Sequence, residues 1–203
     1  MTALELYAEI NKHLLEDEKP SVYLNEAFYT PLFQERPFDM LYKLKETEQS
    51  PIHHPERNVW NHTLLVTDEA ARVKQKSKNQ AVLMWAALLH DIGKPATSKC
   101  MKGRITAYDH DKVGAGIAEV FLRSFTDDEK FVNEVSQLIK YHMQILFVVK
   151  DLPFADIDGL KLNTDIKELA LLGLCNRLGR RGSDIGEEEK SVDLFLKKCM
   201  KQN

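Results

Sequence analysis

The feature that most constrains this chain is the run from Gln80 to Asp91, QAVLMWAALLHD, which is apolar on nearly every side and ends in two polar residues. A helix that is apolar all round is normally buried inside its domain. His90 and Asp91 are therefore expected at the end of a core element, where burial without partners costs several kcal/mol. A divalent cation is one suitable partner, because imidazole and carboxylate are common metal ligands and a carboxylate can bridge two ions.

The composition is that of an ordinary globular protein, with 43% hydrophobic and 29% charged residues among 203, which argues against disorder. The net charge of −3 does not indicate a strongly basic nucleic-acid-binding protein. No apolar run reaches the about 20 residues that a membrane helix needs. The three cysteines are far apart and odd in number, so we expect reduced thiols in a cytoplasmic protein.

Helical periodicity runs through nearly the whole chain, and no convincing strand, repeat or linker interrupts it. Prolines mark a loop over residues 50–58, and residues 99–108 form either a loop or a small hairpin. We therefore expect an all-α, single-domain bundle of about seven to nine helices. Within it, residues 1–37 would form an N-terminal helical extension packed on the core, and residues 38–203 would form the main domain.

Further polar side chains fall on the inward stripes of other helices. His62, His110 and His142 each stand three, four or seven residues from apolar residues, and Asn176 follows Leu169 and Leu172 at helical offsets. One inward histidine is more often a hydrogen-bonded core residue than a ligand, but four histidines with a carboxylate are hard to bury without a cation. The candidate metal ligands are His62, His90, Asp91, His110, His142 and Asn176, with Asp91 as the only buried carboxylate that the pattern indicates.

The sequence leaves more than one role open for the other histidines and for the basic residues near the candidate ligands. His13, His53 and His54 are expected at the surface or around the ligands, with His54 lining the entrance to the site. Lys94 follows Asp91 by three residues, and it either meets a substrate phosphate or is a solvated charge at a helix end. Arg180 could clamp a phosphate through two hydrogen bonds.

An ordered set of motifs resembles the HD superfamily of metal-dependent phosphohydrolases, and more closely the C-terminal HD domain of bacterial CCA-adding tRNA nucleotidyltransferases. The matching stretches, covering roughly residues 38–185, are HHPE at 53–56, NHTL at 61–64, LLHDIGK at 88–94, YDHD at 108–111 and GRRG at 179–182. Nothing in the chain resembles the nucleotidyltransferase part, and the first 37 residues are too few and too helical for it. We therefore expect a stand-alone relative of this HD domain.

The resemblance implies an all-helical HD-domain bundle around a divalent metal site. It implies that His62, His90 and Asp91 hold a first metal, and that His110 and His142 add a second one with Asp91 bridging. It further implies hydrolysis of phosphomonoesters or cyclic phosphodiesters, with a small nucleotide or phosphate ester as substrate, RNA 3′ ends as a further partner, and no membrane. Asp91 and Lys94 are then the catalytic candidates, and Lys94, Arg180 and His54 the substrate-binding ones.

One position departs from the family, whose last ligand is an aspartate where this chain has Asn176. An amide oxygen can coordinate a metal but brings no charge. We therefore expect one or two divalent transition-metal ions, Mn, Co, Ni, Fe or Zn, with Mg less favoured. If Asn176 is only a structural amide, the protein is instead a degenerate HD domain that binds metal, nucleotide or tRNA-like RNA without turnover. A third possibility is a structural helical domain that docks RNA or a protein.

Overall fold

The computed structural model describes residues 1–51 and 54–201, and it confirms the all-α prediction. The helices are α1 (Ala3–Glu16), α2 (Ser21–Phe28), α3 (Asp39–Tyr42), α4 (Val59–Val73), α5 (Gln80–Leu89), α6 (Lys94–Thr97), α7 (His110–Arg123), α8 (Glu129–Tyr141), α9 (Gln144–Val149), α10 (Ile157–Asn163), α11 (Ile166–Leu178) and α12 (Ile185–Met200). Short 3-10 turns occupy Pro31–Gln34, Lys43–Lys45 and Lys74–Lys76. No helix in the described ranges is long and apolar enough to cross a membrane.

Ten helices of six or more residues are present in the described part of the chain, slightly more than expected. Two short ones, α9 and α10, were not distinguished in the sequence because neither is long enough to show an amphipathic repeat. The last helix also begins earlier than its apolar residues indicate: Asp184 accepts a hydrogen bond from the backbone N–H of Glu187 at 2.9 Å, which caps α12 ahead of Val192.

A two-stranded hairpin is the only sheet among the described residues, and it confirms one of the two alternatives for residues 99–108. Strand β1 (Ser98–Met101) pairs antiparallel with β2 (Arg104–Ala107). The turn between them uses Lys102 at φ 52° and Gly103 at φ 75°, the pair of positive φ angles that a tight two-residue hairpin turn requires. The strands were hard to predict because four residues show no clear alternation.

Helix α5 is the centre of the bundle, as its apolar sequence predicts. Every residue from Val82 to Leu89 is buried, and the helix contacts α1, α4, α8 and α11. Asn79 caps its start by accepting from the backbone N–H of Val82 at 3.4 Å. Because neighbouring helices cover α5 on all sides, the residues that follow it, His90 and Asp91, remain inside the protein.

The N-terminal helices pack on this core. Tyr7 of α1 stacks between Trp85 and Phe125, with ring centroids 4.7 and 4.5 Å away, and the Trp85 indole N–H donates to Asn11 Oδ1 at 2.9 Å. Helix α1 buries Leu6, Ile10 and Leu14 against the same core. The division of the chain into a 1–37 extension and a 38–203 domain stays a prediction.

A close backbone contact fixes the position of the segment after α5 relative to α7. A Cβ atom added to Gly93 would lie 2.2 Å from the carbonyl oxygen of His110 and 2.6 Å from the backbone nitrogen of Gly114. Only glycine fits at position 93, because any side chain would overlap main-chain atoms that cannot move aside. The contact therefore sets the spacing between Asp91, two residues earlier, and His110.

Candidate metal centre

The Asp91 carboxylate lies at the centre of four imidazoles, each of which directs its Nε2 atom toward it. Its Oδ2 atom is 3.2 Å from His90 Nε2 and 4.0 Å from His62 Nε2. Its Oδ1 atom is 3.4 Å from His110 Nε2 and 3.9 Å from His142 Nε2. All five side chains, which we call the central cluster, are buried. The structure thus brings together the five predicted residues His62, His90, Asp91, His110 and His142.

Local backbone geometry fixes the tautomer of three of these histidines. Each has its Nδ1 atom within hydrogen-bond distance of the carbonyl oxygen three residues earlier. A carbonyl oxygen only accepts, so Nδ1 carries the proton and Nε2 presents a lone pair toward Asp91. The three contacts are His90 with Ala87 at 2.9 Å, His110 with Ala107 at 2.7 Å, and His142 with Ile139 at 2.6 Å.

Two of these Nε2 atoms face each other. His110 Nε2 and His142 Nε2 are 3.2 Å apart, and since both Nδ1 atoms hold the protons, two lone pairs meet in a buried space. Burial lowers the pKa of both His110 and His142, which favours the neutral forms and leaves the two lone pairs opposed. A cation held by these residues would relieve the repulsion, and their donor set of two imidazoles and Asp91 Oδ1 suits a divalent metal.

His62 has an acceptor on each side of its ring. Its Nδ1 atom is 3.0 Å from Glu56 Oε1, and its Nε2 atom is 3.0 Å from Asn176 Oδ1. A neutral imidazole has one N–H and cannot donate to both. Burial lowers the pKa of His62 to about 4, so a second proton is disfavoured. If Nδ1–H donates to Glu56, Nε2 is free for a metal next to the Asn176 oxygen.

Glu56 is a site residue that the sequence analysis missed. It is only 2% exposed, and its Oε1 atom contacts Nδ1 of both His54, at 2.8 Å, and His62. Burial by itself would raise the pKa of the Glu56 carboxyl, but the two imidazole contacts lower it below its usual range. The available signal was that Glu56 is the only acid in the proline loop that precedes α4.

The prediction that Asp91 is the only buried carboxylate was therefore wrong. Asp111 and Glu168 are buried as well. The Glu168 carboxylate accepts hydrogen bonds from Ser77 Oγ at 2.5 Å and from the backbone N–H of Lys78 at 2.9 Å. These contacts give Glu168 a structural role outside the central cluster. Periodicity did not reveal Glu56 because a loop has no repeating face from which an inward direction can be inferred.

Lys94 is buried rather than solvated, so the alternative of a solvated charge at a helix end does not hold. Its Nζ atom lies 2.7 Å from Asp91 Oδ2 and 2.6 Å from Gln49 Oε1. Gln49, itself buried, was not among the predicted site residues. Through Lys94 the carboxylate of Asp91 has a fixed cationic partner, at the same oxygen that faces His90.

The remaining candidates surround the central cluster. Asn176 and Arg180 are both half-buried, and the charges of Asp91 and Glu56 act on the Arg180 guanidinium, whose pKa is nevertheless lowered by burial. The Arg180 Nε atom is buried with no hydrogen-bond partner among the described residues. His54 is half-buried beside Glu56. His53 lies outside the described residues.

The donor atoms fall into two groups that share one carboxylate. His62, His90 and Asp91 form one group and Asp91, His110 and His142 the other, with the ligand atoms of each within 4.8 Å of one another. His90 Nε2 is buried and has no hydrogen-bond partner among the described residues, as expected of an atom whose partner is an ion. A third group of His54, Glu56 and His62 adjoins them.

The part of the chain that holds the central cluster matches a known protein family. The HD domain family model matches residues 59–175, a range that holds the whole central cluster and ends one residue before Asn176. Glu56 precedes the matched range by three residues.

Curated relatives match over the same part of the chain. A protein named "Multifunctional CCA protein" from Actinobacillus pleuropneumoniae serotype 5b is 39% identical over 103 residues, covering 49% of this chain and 24% of the relative. The protein of the same name from Pseudomonas syringae pv. syringae is 31% identical over 110 residues, covering 54% and 26%. That from Alkalilimnicola ehrlichii is 26% identical over 140 residues, covering 68% and 32%. The chain thus spans about a quarter to a third of the length of these relatives.

Proposed function

The chain belongs to the HD domain family, and from this premise we propose that it is a divalent-metal-dependent phosphohydrolase acting on phosphomonoesters or cyclic phosphodiesters of nucleotides or RNA ends. HD domains bind divalent metals and are generally metal-dependent hydrolases. The observation that carries the proposal is the 3.2 Å approach of His110 Nε2 to His142 Nε2, because two buried lone pairs so close repel each other and favour a cation between the rings.

The donor set fits one or two metal ions. His62, His90 and Asp91, with the Asn176 amide oxygen, would hold the first, and Asp91, His110 and His142 would hold the second. With one carboxylate among imidazoles, the ligands favour Mn, Co, Ni, Fe or Zn over Mg. Bound there, such an ion would supply the nucleophile by lowering the pKa of water toward about 7.

The side chains would do the remaining work of hydrolysis. Asp91 would orient the attacking water, since its two oxygens face both ligand groups. The Lys94 ammonium, 2.7 Å from Asp91, would stabilise the charge that develops on the phosphoryl oxygens. Arg180 would bind a phosphate oxygen with its guanidinium, and His54 would line the entrance beside Glu56.

Metal analysis followed by a hydrolysis assay tests this function. We expect the purified chain to retain a transition metal, and to hydrolyse bis(4-nitrophenyl) phosphate when Mn²⁺, Co²⁺ or Ni²⁺ is added, with activity lost in EDTA. The Asp91→Asn variant, in which only the charge is removed, provides the background rate. A chain that is fully loaded with metal yet inactive on phosphomonoesters, cyclic nucleotides and phosphodiesters would contradict the proposal.

That negative result would support the second candidate, a degenerate HD domain that binds metal, nucleotide or tRNA-like RNA without turnover. The observation in its favour is Asn176, whose neutral amide contacts His62 Nε2 where the resemblance implies an acid. Retention of all four histidines around Asp91 favours the enzyme, because a binding module needs fewer ligands.

The cysteines bear on the cellular location of the protein. All three are free thiols, which supports the proposal of a cytoplasmic protein.

A further inference from the structure

The β-hairpin has both of its ends at the central cluster. Strand β1 follows α6, which begins at Lys94, and β2 is followed closely by α7, which begins at His110. The carbonyl oxygen of Ala107, the last residue of β2, lies 2.7 Å from His110 Nδ1. The base of the hairpin is therefore tied directly to a candidate metal ligand, and Lys102 and Gly103 form its tip.

One face of the hairpin is cationic. In the antiparallel register, Lys99 pairs with Thr106 and Met101 with Arg104, so these four residues share a face. Lys99, Met101 and Arg104 are exposed, and Lys102 stands next to them in the turn. Residues 98–108 contain three cations and no carboxylate, although the whole chain has a net charge of −3.

These cations have no anionic partner in the described part of the chain. Several exposed lysines elsewhere form ion pairs with acids three or four residues away, such as Lys43 with Asp39 and Lys190 with Glu187. The acid nearest to the hairpin in the sequence, Asp109, is bound to Lys112 at 2.9 Å. The positive charge of the hairpin is therefore available to an external anion.

An exposed aromatic residue stands in the sequence between β2 and α7. Tyr108 is 75% exposed and precedes His110 by two residues. Cations that follow a phosphate backbone, combined with an exposed ring on which a base stacks, are the usual means by which proteins bind single-stranded nucleic acid.

We propose that the hairpin binds the single-stranded end of an oligonucleotide, with its terminal phosphate directed into the central cluster and a base stacked on Tyr108. This rests on the proposed function and narrows its substrate class from nucleotides or RNA ends to the ends of strands. Lys99 and Arg104 are diagonal neighbours, with Cβ atoms about 7 Å apart. They are thus spaced so that they can contact two phosphates of a strand.

Binding of a short fluorescein-labelled oligoribonucleotide with a 3′-phosphate, followed by anisotropy in EDTA, tests the proposal. The variant Lys99→Gln/Arg104→Gln should raise Kd several-fold and lower the slope of log Kd against log salt by about 1.4, the value for two phosphate contacts on a single strand. The matched control Lys76→Gln/Lys167→Gln removes two exposed lysines, one in the 3-10 turn that follows α4 and one in the first turn of α11, and should leave Kd unchanged.

The stacking contact has its own variants. Tyr108→Ala should weaken binding about ten-fold, in the range of one base–aromatic stack, whereas Tyr108→Phe should retain it. Tyr29→Ala, which removes a ring that is 69% exposed elsewhere, is the control. Photo-crosslinking of a thiouridine-containing strand to the unmodified chain should label residues 98–108, and this measurement does not depend on how well any variant folds.

Four results would overturn the proposal: no binding by the unmodified chain, equal losses in the hairpin and control variants, crosslinks elsewhere, or competition by polyglutamate as effective as that by the strand. The last would identify an acidic protein as the partner. Because binding is measured without metal, these results are independent of whether bis(4-nitrophenyl) phosphate is hydrolysed, which is the test of the proposed function.

Discussion

His62 Nε2 lies 3.0 Å from Asn176 Oδ1, although 114 residues separate the two in the chain. The contact exists because α4 and α11 pack side by side. It places the amide at the edge of the first ligand group, within reach of the same imidazole atom that faces Asp91. Asn176 is thus positioned to act on a metal held by His62.

Replacing this amide by an acid tests its role. Asn176→Asp should tighten divalent binding and extend it toward Mg²⁺, because a carboxylate adds charge and suits harder ions. In EDTA the same variant should melt at a lower temperature, since the new carboxylate lies close to Asp91, and added metal should reverse the loss. Isothermal titration and thermal melting measure both effects, with the exposed Asn133→Asp as control. Unchanged metal affinity with a lower melting temperature would show a purely structural amide.

The central ligands should be indispensable. Asp91→Asn should abolish metal retention, because Asp91 is shared by both ligand groups, and His90→Ala should abolish the part held by the first group, of which His90 is a donor. Elemental analysis of purified protein is the measurement. His13→Ala on α1, a histidine that instead contacts Asp17, should retain metal at the level of the unmodified chain. Stoichiometric metal in Asp91→Asn would refute the assignment.

Glu56 should act by positioning His62 rather than by touching substrate. Glu56→Gln should reduce metal affinity about 10- to 100-fold, the usual effect of losing the carboxylate that orients a metal-binding histidine. The tautomer of His62, followed by the nitrogen chemical shifts of its ring, should change together with affinity. The exposed Glu48→Gln is the control. A variant that loses stability but keeps both the tautomer and the affinity would indicate a structural role only.

The backbone contact at Gly93 should be essential for both stability and the site. Gly93→Ala should destabilise the fold by about 3 kcal/mol or more, because its Cβ would lie 2.2 Å from the His110 carbonyl oxygen. Gly116→Ala on α7 meets nothing within 4 Å, and it should stabilise by about 1 kcal/mol as an ordinary helix substitution. Chemical denaturation measures both, and equal effects at the two positions would disprove the contact argument.

The N-terminal helix should be integral to the fold. Tyr7→Ala should cost about 2 kcal/mol, because it removes a ring stacked between Trp85 and Phe125. Leu4→Ala on the same helix is the control, since Leu4 is 60% exposed and should change the free energy of unfolding by less than about 0.5 kcal/mol. If Tyr7→Ala were as neutral as this control, the extension would be dispensable.

Helical periodicity was enough to predict which candidate ligands on helices and helix ends face the core. His62 lies within α4, and His90, His110 and His142 stand at helix ends, where apolar neighbours at helical offsets indicate the inward direction. The same reasoning identified α5 as the buried centre. The inward direction of these side chains and the burial of α5 could be predicted because a helix converts sequence spacing directly into a shared face.

Helical periodicity could not identify the candidate site residues that lie in loops. Glu56 and Gln49 reach the cluster through backbone pairing around the loop, in which the Gln49 N–H donates to the Arg57 carbonyl at 2.9 Å and the Val59 N–H to the Thr47 carbonyl at 3.0 Å. Backbone pairing of this kind can join residues at any separation in the sequence, so no repeating pattern reveals it. Lys94 was placed in solvent or on substrate for a similar reason, since its contact with Asp91 depends on the turn at Gly93.

The hydrogen bonds from Nδ1 to the carbonyl three residues earlier have a consequence for how such a protein tolerates change. His90 and His142 take their ring orientation from their own helical turns, whereas His110 takes it from Ala107 of the hairpin and His62 contacts Glu56 of the loop before α4. Insertions or deletions in the other connections between helices should therefore leave the metal ligands in place as long as the bundle packs. Those connections can be lengthened, shortened or exchanged without disturbing the central cluster.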